Sequence, residues 1–441
     1  MATRIVVEPG GHGCHNMGDV GMMQVAVARL NELWPHAKIE VVTSRPDLLR
    51  RYCPSAVPLS MEARSAWLSG QSLLGGFHRR LPSGISCAMQ RLERLLWLRL
   101  PAVTDFGVRL KARFLRRPIP SPSSFRKRLT GANLLVVSGA GMLNDAFADS
   151  ACPLLDELEV AFRVGVPVVA FGQGVGPITD PELLAKARAV LPRLKLIGLR
   201  EGRTGLPLLE SLGVPRERIH VTGDDAIELA FKCRPSSLGD LIGVNLRLAG
   251  YAETDESTVG KLQDPLRSAA RTLDSTLVSV PISLHASDSD VNSADRLLGG
   301  QNQCTGATIE SPEDVIRLIG RCRVVVTGSY HGGVFALAQG IPVVGLVQSP
   351  YYEQKFTGLQ EQFPGGCRMI DFRRSVASSE IGDAIRDAWE SAERVRDSLL
   401  AAAARQIELS RAAYGAASEL CPLLLSKAGT DPHAGCPRSR F

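Results

Sequence analysis

The chain has 441 residues, 44 % hydrophobic and 22 % charged. This is ordinary globular usage, with apolar material for two or three domains of about 100–200 residues. No run approaches the roughly 18–20 apolar residues of a membrane-spanning helix. MATRIVVEPG lacks the apolar core and cleavage site of a secretory signal, so a cytoplasmic protein is expected.

The net charge of +6 is concentrated: residues 61–130 hold 14 Lys/Arg against 3 Asp/Glu, leaving the remainder slightly acidic. Ten cysteines, at 14, 53, 87, 152, 233, 304, 322, 367, 421 and 436, form no C-x-x-C pair. They are expected as mostly buried thiols, with neither disulfides nor a structural zinc.

In chain order, a short apolar strand, a Gly-rich or polar loop and a helix recur. Arg4 to Glu8 reads as a strand, GGHGCHNMGD as a loop, and about Val20 to Trp34 as a helix with Met23, Val27 and Leu30 on one face. Lys38 to Thr43 is the next strand. Residues 61–130 read as a basic helical insert, in which RLERLLWLRL, Trp67 and Trp97 interleave apolar residues with Arg. Two readings fit this insert: a solvated helical face, or peripheral contact with an anionic membrane. No recognition module points to nucleic acid.

The pattern resumes with strands at Leu134–Val137, Val166–Phe171, Leu194–Leu199 and Arg218–Thr222. A second half begins near 240, with strands at Leu241–Arg247 and Leu277–Leu284, a short one at Ala307–Thr308, then Arg323–Thr327 and Ile341–Val347. Residues 378–418 read as helical and able to pack back across the first half. The last dozen read as a frayed tail. The expected fold is α/β, with two Rossmann-like parallel-sheet domains facing a cleft. The expected boundaries are 1–235, 236–375, a helical segment 376–428 and a tail 429–441.

Ligands of open parallel sheets bind beyond the carboxyl ends of the strands, where the unusual residues fall. Glycines 10, 11, 13 and 18 follow the first strand, 139 and 141 a later one, and 172, 174 and 176 the next. They read either as tight turns or as backbone opened to an anion. Neither GHGCHNMG nor GQGVGP fits a dinucleotide fingerprint. His331, within Gly328-Ser329-Tyr330-His331-Gly332-Gly333 at a helix start, suits an acid or base. Asp19 is either the helix N-cap or a carboxylate facing the cleft. Arg200 is either a surface partner of Glu201 or a fork for carboxylate or phosphate. Asn245 and Arg247 end a strand in a similar way. For His285 and Asp288 both readings stand.

These motifs resemble the polysaccharide pyruvyl transferase family. Asn16-Met17-Gly18-Asp19 resembles its N-x-G-D start. Gly139-Ala140-Gly141 is similar to its glycine triplet, and Gly172-Gln173-Gly174-Val175-Gly176-Pro177 to its G-Q-G-x-G-P. Leu199-Arg200-Glu201 and Gly223-Asp224-Asp225-Ala226 are similar to its arginine-bearing segment, and His331-Gly332 to its His-Gly. The resemblance covers about residues 1–30 and 130–360. It implies a GT-B-like fold and transfer of a pyruvyl group from phosphoenolpyruvate to sugar hydroxyls as a cyclic ketal. Arg200 would match the family arginine that holds the donor and His331 the histidine beside it; Asp19, read as a carboxylate facing the cleft, is expected to take the proton of the sugar hydroxyl.

No further cofactor or metal is expected. Substrate contacts are expected from Asn16, Gly18, Gly139, Gly141, Gln173, Gly174, Asn245, Arg247, His285, Ser329, Tyr330, Gly332 and Lys355. The partners are a small-molecule donor and a saccharide acceptor, lipid-linked or free. Ser329 stands where the family carries arginine, so Arg247 or Lys355 must replace that cation, or the donor differs. A GT-B glycosyltransferase using a nucleotide sugar and a non-catalytic partner in polysaccharide assembly are the competing readings.

Overall fold

The structure, a computed structural model, describes residues 3–61, 64, 83–116, 122–247, 256–285, 290–298 and 309–420. The expected strand at Ala307–Thr308, together with Trp67, Asp288, Cys304, Cys421, Cys436 and the tail 429–441, lies outside them. Cys14, Cys53, Cys152, Cys233, Cys322 and Cys367 are free thiols.

Seven parallel strands form the first sheet: β1 (Arg4–Pro9), β2 (Lys38–Thr43), β3 (Val57–Ser60), β4 (Leu134–Leu143), β5 (Val168–Val175), β6 (Leu196–Leu199) and β7 (Ile219–Val221). Their spatial order is β3-β2-β1-β4-β5-β6-β7. Five strands form the second: β8 (Leu241–Asn245), β9 (Thr276–Ser279), β10 (Cys322–Thr327), β11 (Val343–Val347) and β12 (Cys367–Asp371), in the order β12-β11-β10-β8-β9. Every pairing is parallel. These are the two Rossmann-like domains of the expected α/β fold.

Both faces of each sheet are covered, so the strands read as nearly continuous apolar runs. Along β1 the side chains alternate: Ile5 and Val7 enter one core, Val6 the other. The first of these cores spans both sheets. It joins Ile5, Met23 and Phe171 to Val325, Phe335 and Leu399 without interruption.

Several boundaries differ from the sequence reading for local reasons. The first helix is Met17–Leu33, because Asn16 rather than Asp19 caps it: its Oδ1 accepts from the N–H groups of Gly18 (2.9 Å) and Asp19 (3.3 Å). β9 ends at Ser279, two residues before Pro281, which has no N–H to pair. β3 contains Pro58 and survives as an edge strand. The C-terminal segment is one helix, Ser378–Leu420.

The topology fixes where a ligand can sit. From β1 the chain winds outward to β2 and β3, then returns to β4 on the other side of β1. From β8 it goes to β9, then returns to β10 on the other side of β8. Each reversal opens a crevice at the carboxyl edge of its sheet. The loops after β1, β4, β8 and β10 carry most of the residues singled out above.

Candidate active site

A cleft of about 350 Å³ lies where the two crevices meet. Asn16, Asp19, Gly141 and Arg200 line it from the first domain. Arg247, His285, Ser329, Tyr330, His331 and Lys355 line it from the second. The cleft is closed on one side by backbone pairing between the domains: Met17 N–H donates to Ile282 O (2.9 Å), and Leu284 N–H donates to His15 O (2.8 Å). The rings of His15 and His285 meet edge to face there, 5.0 Å apart.

The first helix and the Tyr330–Ala338 helix begin against each other. An added Cβ on Gly18 would lie 1.9 Å from Cγ of His331, so only glycine lets the imidazole rest on the first turn. Gly18 therefore shapes the site from beneath the histidine rather than lining the cleft. Gly332 is likewise a packing position, where a Cβ would meet Thr327 Oγ1 at 2.6 Å. His331 itself is held in a helix whose nine residues are all buried.

Arg200 leaves β6 directly into the buried floor, 3 % exposed. Its Nε donates to Gly172 O (2.7 Å) and lies 3.2 Å from Asp224 Oδ2. Its guanidinium lies 5.1 Å from the centre of the Tyr330 ring. The surface pairing with Glu201 is not formed. Glu201 instead caps the next turn, accepting from the N–H groups of Thr204 (2.9 Å) and Gly205 (3.1 Å).

Asp224 appears in the sequence reading only within a motif, with no role assigned to it. Its Oδ2 lies between Arg200 and His331, 3.6 Å from His331 Nε2, while Oδ1 accepts from Ala226 N–H (2.9 Å). Burial opposes its ionisation, but Arg200 and His331 outweigh that and hold its pKa below the ordinary carboxylate value. The available signal was the acidic pair Asp224-Asp225 just beyond the carboxyl end of a strand.

Lys355 comes from the helix Pro350–Gln362 and lies over the ring of Tyr351 at 4.0 Å, with Tyr330 at 5.3 Å and Tyr352 at 5.5 Å. Burial, and then repulsion from Arg200, lower its pKa to about 7. An added Cβ on Gly141 would lie 3.3 Å from its Nζ, so the glycine leaves the ammonium room. The same burial, with Asp224 next, pushes the Tyr330 hydroxyl well above its usual range.

Besides Gly18 and Gly332, four further predicted contacts are not on the cleft wall. Gly139, at φ +39°, is packed on Met22. Gln173 is buried within the first sheet and donates to Phe171 O (2.8 Å). Gly174 lines a smaller adjoining cavity behind Tyr330. Asn245 donates to Val280 O (2.9 Å) and Asp290 Oδ2 (2.8 Å). Asp290 also receives Arg247 (3.1 Å) and the N–H groups of Ile282 and Ser283, so it organises this edge of the cleft. Among the described residues no group of three potential ligands could hold a metal ion.

The family model for polysaccharide pyruvyl transferase matches residues 16–350, the span that contains every residue lining this cleft except those of the loop after β1, residues 10–15, and Tyr351, Tyr352 and Lys355. No curated protein sequence matches the chain. Solved structures match over nearly its whole length at low identity. A proposed UDP-N-acetylglucosamine 2-epimerase from Listeria monocytogenes is 12 % identical, with a TM-score of 0.57 and coverage of 98 % of both chains. The UDP-GlcNAc 2-epimerase of Neisseria meningitidis, bound to UDP-GlcNAc, is 12 % identical at a TM-score of 0.54, covering 97 % of this chain and 100 % of the other. Arabidopsis thaliana UGT89C1, complexed with UDP-L-rhamnose, is 12 % identical at 0.54, covering 96 % and 99 %. Such likeness shows the GT-B-like fold alone.

Proposed function

Because the chain belongs to the polysaccharide pyruvyl transferase family, we propose that it moves a pyruvyl group from phosphoenolpyruvate to a pair of sugar hydroxyls in cell-surface or extracellular polysaccharide biosynthesis. It is a transferase with a GT-B-like fold. The convergence of Asp19, Arg200, His331 and Lys355 on one cleft supports this reading.

The donor's phosphate and carboxylate rest against Arg200 and Lys355, with Lys355 supplying the cation that Ser329 does not. His331 gives a proton to the donor's methylene carbon, which becomes a methyl group and leaves the adjacent carbon electrophilic. The first sugar oxygen bonds to that carbon, and its proton passes to Asp19. The second hydroxyl oxygen then displaces inorganic phosphate as the carbon–oxygen bond to it breaks, closes the ketal and passes its own proton to the departing phosphate. Asp224 holds the imidazole and the guanidinium in register and stabilises the charged forms of both. No other cofactor enters this scheme. On the same reading the acceptor is carried on a lipid and the chain works at the inner face of the membrane, touching it through the basic insert.

Two measurements test the proposal. Phosphoenolpyruvate raises the melting temperature of the purified chain, whereas nucleotide sugars do not; the reverse order transfers the cleft to glycosyl transfer. His331→Ala abolishes ketal formation by about 100-fold or more while leaving the circular dichroism spectrum unchanged. Near-normal turnover in that variant removes His331 from the chemistry.

A further inference from the structure

The helices Ser83–Arg99 and Pro101–Phe114 turn their apolar residues the wrong way for a solvated surface. Leu92 and Leu95 on the first, and Val103, Phe106, Leu110 and Phe114 on the second, are each between 52 and 87 % exposed. The spacing 103, 106, 110, 114 places the second set on one stripe of a 3.6-residue helix. The acidic side chains face the other way: Glu93 is fully buried, and Asp105 is buried and paired with Arg109 (2.8 Å). Trp97 and Val108, also on the inner face, join the core of the first domain. From 85 to 116 the described residues thus expose no carboxylate, while Arg99, Arg109, Arg113 and Arg116 are exposed beside the apolar residues.

We infer that this outward face docks on an anionic lipid bilayer, lying in its interface with Phe106 and Phe114 among the acyl chains. The inference deepens the proposed function, since it names the membrane partner of the basic insert. An apolar stripe edged by arginines matches acyl chains edged by anionic headgroups. A second copy of the same face fits poorly, because a two-fold contact sets its arginines against themselves. No described helix is long and apolar enough to cross a membrane, so the contact is peripheral.

The test is flotation of the full-length chain with vesicles of phosphatidylcholine alone or mixed with phosphatidylglycerol, without donor or acceptor. The chain floats with the mixed vesicles, less so at high salt, and not with phosphatidylcholine alone. The double variant Phe106→Asp/Phe114→Asp weakens flotation by about a hundredfold. Leu409→Asp, which changes an exposed leucine of the C-terminal helix, leaves it intact. Equal partition into both vesicle types, no partition, unchanged flotation of the double variant, or a dimer dispersed by the double variant without vesicle binding each overturns the inference. If the double variant misfolds, amide exchange of the unaltered chain decides: slower exchange over 101–116 on adding mixed vesicles supports docking, and unchanged exchange refutes it. His331→Ala still floats, and the double variant still turns over a water-soluble acceptor. A failure of the chemistry and a failure of docking are therefore separate results.

Discussion

At the scale of single residues, the cleft gathers charge that the fold would be more stable without. Lys355 stands near Arg200 in a buried setting, and its pKa falls from 10.5 to about 7. The folded chain therefore releases a proton that the unfolded chain keeps between about pH 7 and 10.5. Stability attributable to this group rises with pH across that window, and the lysine is unfavourable below it. A bound dianion reverses the balance, because its charge favours the ammonium. Lys355→Met accordingly raises the melting temperature at pH 7 while weakening phosphoenolpyruvate by about tenfold to a hundredfold. In the unaltered chain, donor affinity measured by calorimetry falls as pH rises above 7. An affinity that is flat with pH, or a variant that binds the donor normally, separates Lys355 from the anion. On the proposed reading Lys355 stands in for the arginine missing at Ser329, so the donor meets a titratable cation and pH sensitivity follows.

At the scale of elements, one buried cation between two acids ties the start of the basic insert to the first domain. Arg64 meets Glu8, from β1, at 2.6 Å and Glu157, from the helix Ala148–Arg163, at 2.7 Å, and His12 also bonds Glu8 at 2.5 Å. Burial disfavours both carboxylates. Arg64 and His12 still hold Glu8 below its usual value, and Glu157, which also faces Glu8, is pushed up to about 8. Because the folded value lies above the unfolded one, the stabilising contribution is complete below about pH 4.5 and is lost as pH rises to about 8. Glu157→Gln copies the protonated acid and removes that slope. Its stability in urea gains on the unaltered chain between pH 5 and 8, by on the order of 2 kcal/mol. Parallel pH profiles for the two proteins would place the proton elsewhere.

At the scale of the whole molecule, the C-terminal helix Ser378–Leu420 is the strap that holds the two domains in one geometry. Its start packs Ile381, Ala384 and Ile385 on the second sheet, and its end packs Ala413, Tyr414 and Ala417 into the core shared with the first. There Arg29 donates to Asp225 (3.2 Å), Glu228 (2.6 Å) and Ser410 (2.6 Å). The Tyr414 hydroxyl donates to Asp225 (2.8 Å), and its ring stacks on Phe171 at 3.7 Å. Arg29→Met leaves buried Asp225 with only the hydroxyls of Ser410 and Tyr414, while Glu228 keeps Lys232 and Arg411, and costs roughly 3–5 kcal/mol of unfolding free energy. A loss below about 1 kcal/mol would show that the strap relies on packing alone. The sequence by itself determined the alternation of strand and helix, the two parallel sheets, and the placement of Asp19, Arg200 and His331 at strand ends or helix starts, because these depend on short-range periodicity and turn chemistry. It missed β3 and β12, whose short edge strands carry weak patterns, and it placed Gln173 and Asn245 at the ligand although both are occupied within or beside their sheets. Only the tertiary structure decided that Asp224 lies between Arg200 and His331, that Gly18 is a seat for an imidazole more than 300 residues away, and that the insert turns leucine and phenylalanine outward. Each of these depends on which distant surfaces meet, and local sequence carries no information about that.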